Sequence, residues 1–148
     1  MDKDILAKSM MEAFDNISKQ DIFERMQFTQ KGENLILTML MNMGGKATPG
    51  ELMQHAECTA ARLTAIAKSL ENKGFVKRIQ NVQDKRSTII EMTTDGINRF
   101  MSIQKEFVEN IFNLIEKLGE QDAAEFARLL GRLSEVSTEI FELGEVVM

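Results

Sequence analysis

Tryptophan and tyrosine are absent from these 148 residues, and cysteine, histidine and proline occur once each. A single cysteine, Cys58, cannot close an internal disulfide, which points to a reducing compartment. One histidine, His55, leaves little for metal or nucleophilic chemistry. There is no nucleophile–base pair and no phosphate-cradling glycine loop, and no carboxylate pair stands apart from helix-surface acids. The chain is therefore not read as an enzyme, and no cofactor is expected. Apolar runs never exceed a few residues, so no membrane partner is expected either. The opening stretch MDKDILAKSM begins acidic and holds no signal-peptide core, which points to the cytoplasm. The length suits one domain with a substantial core.

Charge is present in quantity but unevenly placed. Between Thr59 and Thr88 seven basic side chains face only Glu71 and Asp84, a local +5 inside a chain of net −5. From Glu106 onward ten acids outweigh Lys117, Arg128 and Arg132. An acidic protein with one basic segment has one surface suited to a polyanion and others that repel it. Methionine is also abundant, at eleven residues, and reads first as adaptable core filling.

Apolar positions Ile5, Leu6, Met10, Phe14, Ile17, Ile22 and Phe23 suggest a helix over residues 4–28 with one looser turn. A second helix is expected from Thr29 to Met43, stopped by Gly44–Gly45. The string TPGE then places Thr48 as N-cap, Pro49 at the first helical position and Glu51 as its capping-box partner, opening a short helix to about His55. A fourth helix, capped by Thr59 and ended by Gly74, buries Leu63, Ile66, Ala67 and Leu70 and turns Ala61, Arg62, Thr64, Ala65 and Lys68 outward. Two β-prone runs follow, FVKRI and STIIEM, separated by the polar tip QNVQDKR. Helical spacing returns after Thr93 up to Leu118, Gly119 breaks it, and a last helix runs from about Gln121 to Leu143. The fold class is mostly α with a small β-hairpin. A helix-turn-helix followed at once by a hairpin with a basic tip is a winged helix.

That arrangement suits double-stranded DNA. An α-helix fits the major groove, and small residues at its start, Thr59, Ala60 and Ala61, permit close approach. Arg62 and Thr64 carry hydrogen-bonding ends beside Ala65, and a bidentate Arg–guanine contact contributes roughly 1–3 kcal/mol of discrimination. Lys68, Lys73 and Lys77 are placed to meet phosphates. In the wing, Gln80, Asn81, Asp84, Lys85 and Arg86 are the candidate contacts, with Arg86 directed to the minor groove and its guanidinium braced by Asp84.

The segment LENKGFVKR, continued by QDKRSTIIEMTTDG, resembles the winged-helix core of MarR-type regulators. The matching residues are Leu70, Glu71, Gly74, Phe75, Val76, Arg78, Asp84, Arg86, Met92, Thr93 and Gly96. The order of helices on both sides is similar too, so the resemblance extends along the chain. It implies a homodimeric transcriptional regulator, a repressor by expectation, on a pseudo-palindromic operator. Residues 1–28 and 105–148 would then supply dimerisation helices around a DNA-binding lobe at 29–104. Arg62 and Ala65 depart from the family pattern where bases are read, and Phe75 and Met92 replace conventional leucines.

The resemblance further implies control by a small effector or an oxidant. An apolar or aromatic effector would be lined by Phe14, Met39, Met43 and Met101. Glu51, His55 and Cys58 would make a metal trio on a continuous helix, but they straddle the expected turn, and no metal is expected. Cys58 lies beside the recognition helix but has no resolving cysteine within the chain. The alternative to a repressor is a winged-helix protein acting as a protein-interaction or redox-sensing module without operator binding.

Overall fold

The computed structural model describes residues 2–26 and 31–146, with side-chain environments through residue 140. It contains seven helices and three strands among the described residues: α1 (Lys3–Lys19), α2 (Ile22–Arg25), α3 (Gly32–Asn42), β1 (Lys46–Ala47), α4 (Pro49–Ala56), α5 (Ala60–Asn72), β2 (Val76–Gln80), β3 (Thr88–Met92), α6 (Thr94–Leu118) and α7 (Glu120–Val146). None of the helices is long and apolar enough to cross a membrane. The chain divides into two compact units, residues 1–107 and 108–148.

In the first unit, the Asp2 carboxylate starts α1 by accepting from the Asp4 amide at 3.2 Å. The single helix expected over 4–28 is broken: α1 ends at Lys19, and Asp21 takes a left-handed φ of 49° before the short α2. Aspartate tolerates that conformation better than most residues because its short polar side chain can satisfy local backbone groups. The expected end at Phe28 and the expected start at Thr29 lie outside the described residues. Helix α3 buries Ile36, Leu37 and Leu40. Gly44 and Gly45, both at positive φ, stop it by turning the Gly45 amide back onto the Leu40 carbonyl at 2.7 Å.

The expected capping box at α4 is formed. Thr48 Oγ1 accepts from the Glu51 amide at 3.2 Å, and Glu51 Oε2 accepts from the Thr48 amide at 2.9 Å. Thr59 caps α5 by one bond only, its Oγ1 accepting from the Arg62 amide at 3.2 Å. The three strands form an antiparallel sheet in the order β1-β3-β2, with Val76 opposite Met92 and Gln80 opposite Thr88. Strand β1 was not expected; it pairs Lys46 with Glu91 and Ala47 with Ile90. At two residues it is too short to carry an alternating pattern. Leu52, Leu63, Leu70, Val76, Ile90 and Ile103 join the α3 residues in one core.

The start of α6 is held by main-chain contacts. Thr93 Oγ1 donates to the Gly74 carbonyl at 2.5 Å and accepts from the Gly96 amide at 3.1 Å, while the Thr93 amide donates to the Phe75 carbonyl at 3.0 Å. A Cβ added at Gly96 would stand 2.0 Å from the Phe75 carbonyl oxygen, so only glycine fits there. This joint supplies a physical reason for the Thr-x-x-Gly spacing.

The second unit consists of the end of α6 and helix α7, separated by Gly119 at φ 83°. Its apolar side chains recur at helical spacing through Phe126, Leu129, Leu130 and Leu133, all exposed in the single chain. No residue of 120–140 is buried.

Candidate nucleic-acid interface

Helix α5 separates its residues by helical period. Leu63, Ala67 and Leu70 are buried, whereas Thr59, Ala60, Ala61, Arg62, Thr64, Ala65 and Lys68 are all exposed. The first turn is therefore a low surface of small side chains from which Arg62 projects. Among the described residues the Arg62 guanidinium has no ion-pair partner, so its donors face solvent. The Thr64 hydroxyl donates to the Ala60 carbonyl at 2.8 Å and presents its lone pairs outward.

Two cations of the basic segment are engaged within the fold. Lys73 pairs with Glu33 at 2.7 Å, and Arg78 with Glu71 at 3.2 Å. Glu33 also accepts from the Ser69 hydroxyl, which ties α3 to the last turns of α5. The hydrogen bond from Lys73, then that from Ser69, holds the Glu33 carboxyl below its ordinary pKa, against a smaller opposing effect of burial. Lys73 is thus not the open phosphate contact expected from the sequence: its charge is offset from 40 residues away. Lys68, Lys77, Lys85 and Arg86 are exposed and outside these pairs.

The wing spans residues 81–87 between β2 and β3. It is held by a chain of short-range hydrogen bonds. Asn81 Oδ1 accepts from the Gln83 amide at 3.1 Å, Asn81 Nδ2 donates to Ser87 Oγ at 3.0 Å, and the Asn81 amide donates to the Ser87 carbonyl at 3.1 Å. Gln80 Nε2 reaches the Lys85 carbonyl at 3.3 Å. Asp84 does not brace the Arg86 guanidinium as expected; its Oδ1 accepts from the Arg86 backbone amide at 3.0 Å. An aspartate so close in sequence reaches the main chain two residues on more readily than it reaches the far end of a long side chain. Asp84 shapes the loop, and among the described residues the Arg86 guanidinium has no ion-pair partner.

The four effector candidates lie in different surroundings. Phe14 and Met101 are exposed, while Met39 and Met43 are half-buried against the core. A cleft of about 390 Å³ forms elsewhere, beside the first turn of α5, lined by Lys31, Leu35, Ile36, Cys58, Arg62 and Ile66 among others. Local sequence carried no signal for it, because α3 and the α4–α5 turn meet only in the folded lobe. Cys58 is a half-buried free thiol at its edge. Glu51 and His55 sit on α4, and Glu57 in a left-handed conformation separates them from Cys58. Among the described residues no group of three or more potential ligands could hold a metal.

Set beside known proteins, the lobe finds its relatives. The MarR family model matches residues 31–88, which run from α3 into β3. Over that segment the chain is similar to the MarR family. It is 29% identical over 106 residues to the HTH-type transcriptional repressor YetL of Bacillus subtilis, covering 71% of this chain and 64% of that one. It is 26% identical over 86 residues to the HTH-type transcriptional regulator PecS of Dickeya dadantii, covering 58% of this chain and 52% of that one. The chain thus spans less than two thirds of the length of these curated relatives. Among solved structures, YusO of Bacillus subtilis superposes with a TM-score of 0.72 at 19% identity, over 91% of this chain and 99% of that one. Apo MarR of E. coli superposes with a TM-score of 0.59 at 24% identity, over 68% and 74%. These likenesses establish the MarR-type winged-helix fold. The curated relatives are named as transcriptional regulators.

Proposed function

We propose that this protein is a DNA-binding transcriptional regulator, a repressor, that acts in the cytoplasm. As a homodimer it binds a pseudo-palindromic operator, with α5 in the major groove and the wing in the minor groove. The observation that carries this reading is the outer face of α5: small residues around an exposed Arg62 that has no ion-pair partner among the described residues, on a helix whose other face is buried. Arg62, Thr64 and Ala65 read bases, while Thr59, Ala60 and Ala61 let the backbone approach. Lys68 and Lys77 meet phosphates, and Arg86, with Lys85 and the Gln80–Asn81 edge of the wing, lies against the minor groove.

The dimer is supported by exposed apolar stripes. Phe112, Phe126, Leu130 and Leu133 in the second unit, and Leu6, Met10 and Phe14 on α1, are each more than a third exposed in the single chain. A second copy covers such faces most economically, because a two-fold axis matches each stripe to its own equivalent. An apolar or aromatic effector, with Phe14, Met39, Met43 and Met101 as the candidate contacts, would release the operator by altering the spacing of the two recognition helices.

The test is fluorescence polarisation with operator fragments recovered by genomic selection on the purified protein, over a salt series. Several phosphate contacts give a steep log–log fall of affinity with salt, about 0.9 per neutralised phosphate. Arg86→Ala should weaken binding and flatten that slope by about one. No measurable binding at low salt would leave the protein-interaction alternative standing.

A further inference from the structure

The wing presents a feature that phosphate and base contacts do not explain. Val82 is 92% exposed, the most exposed large apolar side chain among the described residues. It stands at the tip of the loop, flanked by polar and basic neighbours, where a polar residue would cost nothing. The loop is not free to fold it away. The Asn81 side chain caps the Gln83 amide on one side of it, and Asp84 caps the Arg86 amide on the other. Val82 borders an open groove whose lining includes Ile79 and Ile89 beside Lys46, Glu51 and Gln80, yet it does not fold down onto them. Instead the cross-loop bonds from Asn81 to Ser87 hold the tip open.

We propose that Val82 is an apolar foot of the DNA interface, packing against the deoxyribose walls of the minor groove beside Arg86. The inference rests on the operator-binding reading and adds a positioning residue to it. The groove offers the complement. Its walls are sugar C–H groups, its width of about 6 Å admits a slim side chain, and its mouth is ringed by phosphates that attract Lys85 and Arg86. A β-branched side chain loses little rotamer freedom when confined, so its burial is not offset by ordering. Val82 contributes desolvation without sequence preference, and it fixes how deeply Arg86 enters. It neutralises no phosphate.

These properties separate it from its neighbours in one experiment. Wild type, Val82→Ser, Val82→Ile and Arg86→Ala are titrated on the selected operator over a salt series, with hydroxyl-radical cleavage of the saturated complexes, which reports sugar accessibility. Val82→Ser should weaken binding about tenfold, the factor that burial of one valine supplies. Its salt slope should match wild type, and cleavage should return at the sugars under the wing. Val82→Ile should bind as wild type or better. Arg86→Ala should flatten the slope instead. Thermal melting should be the same for wild type and Val82→Ser, since this side chain packs against almost nothing in the free protein. If Val82→Ser binds as tightly as wild type, or keeps the sugars protected, the proposal fails while the operator reading stands. If wild type binds no operator, both fail.

Discussion

The lobe around α5 and the helices at the chain ends use similar apolar residues to opposite effect. Among the described residues, every buried hydrophobic residue lies between Ile36 and Ile103. Helix α1 buries none, and α7 leaves Leu129, Leu130, Leu133 and Ile140 open. The lobe folds helix on helix on sheet, so each apolar stripe meets another within the same chain. The end helices carry stripes of the same period that stay exposed in the single chain. A stripe therefore states that a helix must be covered and leaves open what covers it.

Three changes probe that difference. The largest effect is expected from Leu133→Asp, because the proposed two-fold interface would suffer the loss twice. Two leucines removed from burial cost about 3–6 kcal/mol, roughly a hundredfold or more in dimer affinity. Sedimentation should show a monomer that retains the circular dichroism of the lobe, and its melting temperature should lose the concentration dependence expected of wild type. An unchanged dimer would show that Leu133 faces solvent. Next comes Leu40→Ala within the lobe, which is completely buried. Urea unfolding should show a loss of about 2–5 kcal/mol from lost contacts and the cavity left behind, with no change in oligomeric state beyond what unfolding causes.

The smallest effect concerns the tie between α3 and α5. Since the folded-state pKa of Glu33 is lowered, its contribution is present above the unfolded value, near the ordinary 4.5, and is lost as pH falls through the lower folded value. Glu33→Gln should destabilise the lobe at pH 7 by about 0.2–1 kcal/mol, the range for a largely solvated pair. By pH 3 the difference between Glu33→Gln and wild type in urea melts should have shrunk. A difference that persists or grows in acid would reassign Glu33 to a role other than ion pairing.

How much of this was legible beforehand follows the range of the interactions. The capping box at Thr48, the stop at Gly44–Gly45 and the buried period of α5 depend on residues within one or two turns, and local sequence carries them. The exposed face of α5 came with them, since burying Leu63, Ala67 and Leu70 turns Arg62, Thr64 and Lys68 outward. The break at Asp21 was hidden because a left-handed aspartate is chosen by what surrounds it. The pairing of Lys73 with Glu33 joins positions 40 apart, and no local pattern signals it. Asp84 was misread for a different reason: the Asp-x-Arg spacing suggests a side-chain pair, yet the shorter reach to the backbone amide prevails. What was missed is mostly what two distant segments decide together.

The joint at Gly96 has a consequence for how such a molecule can diverge. Because the Phe75 carbonyl occupies the place of a missing Cβ, the exit direction of α6 from the sheet is a main-chain property. Substitutions scattered along the helix can alter what it touches but not where it points. Re-aiming it requires a change at Gly96 itself or in the length of the segment from Gly74 to Thr93. Surface drift on α6 is thereby uncoupled from the orientation of the helix, and new contacts can be tried without moving the frame that carries them.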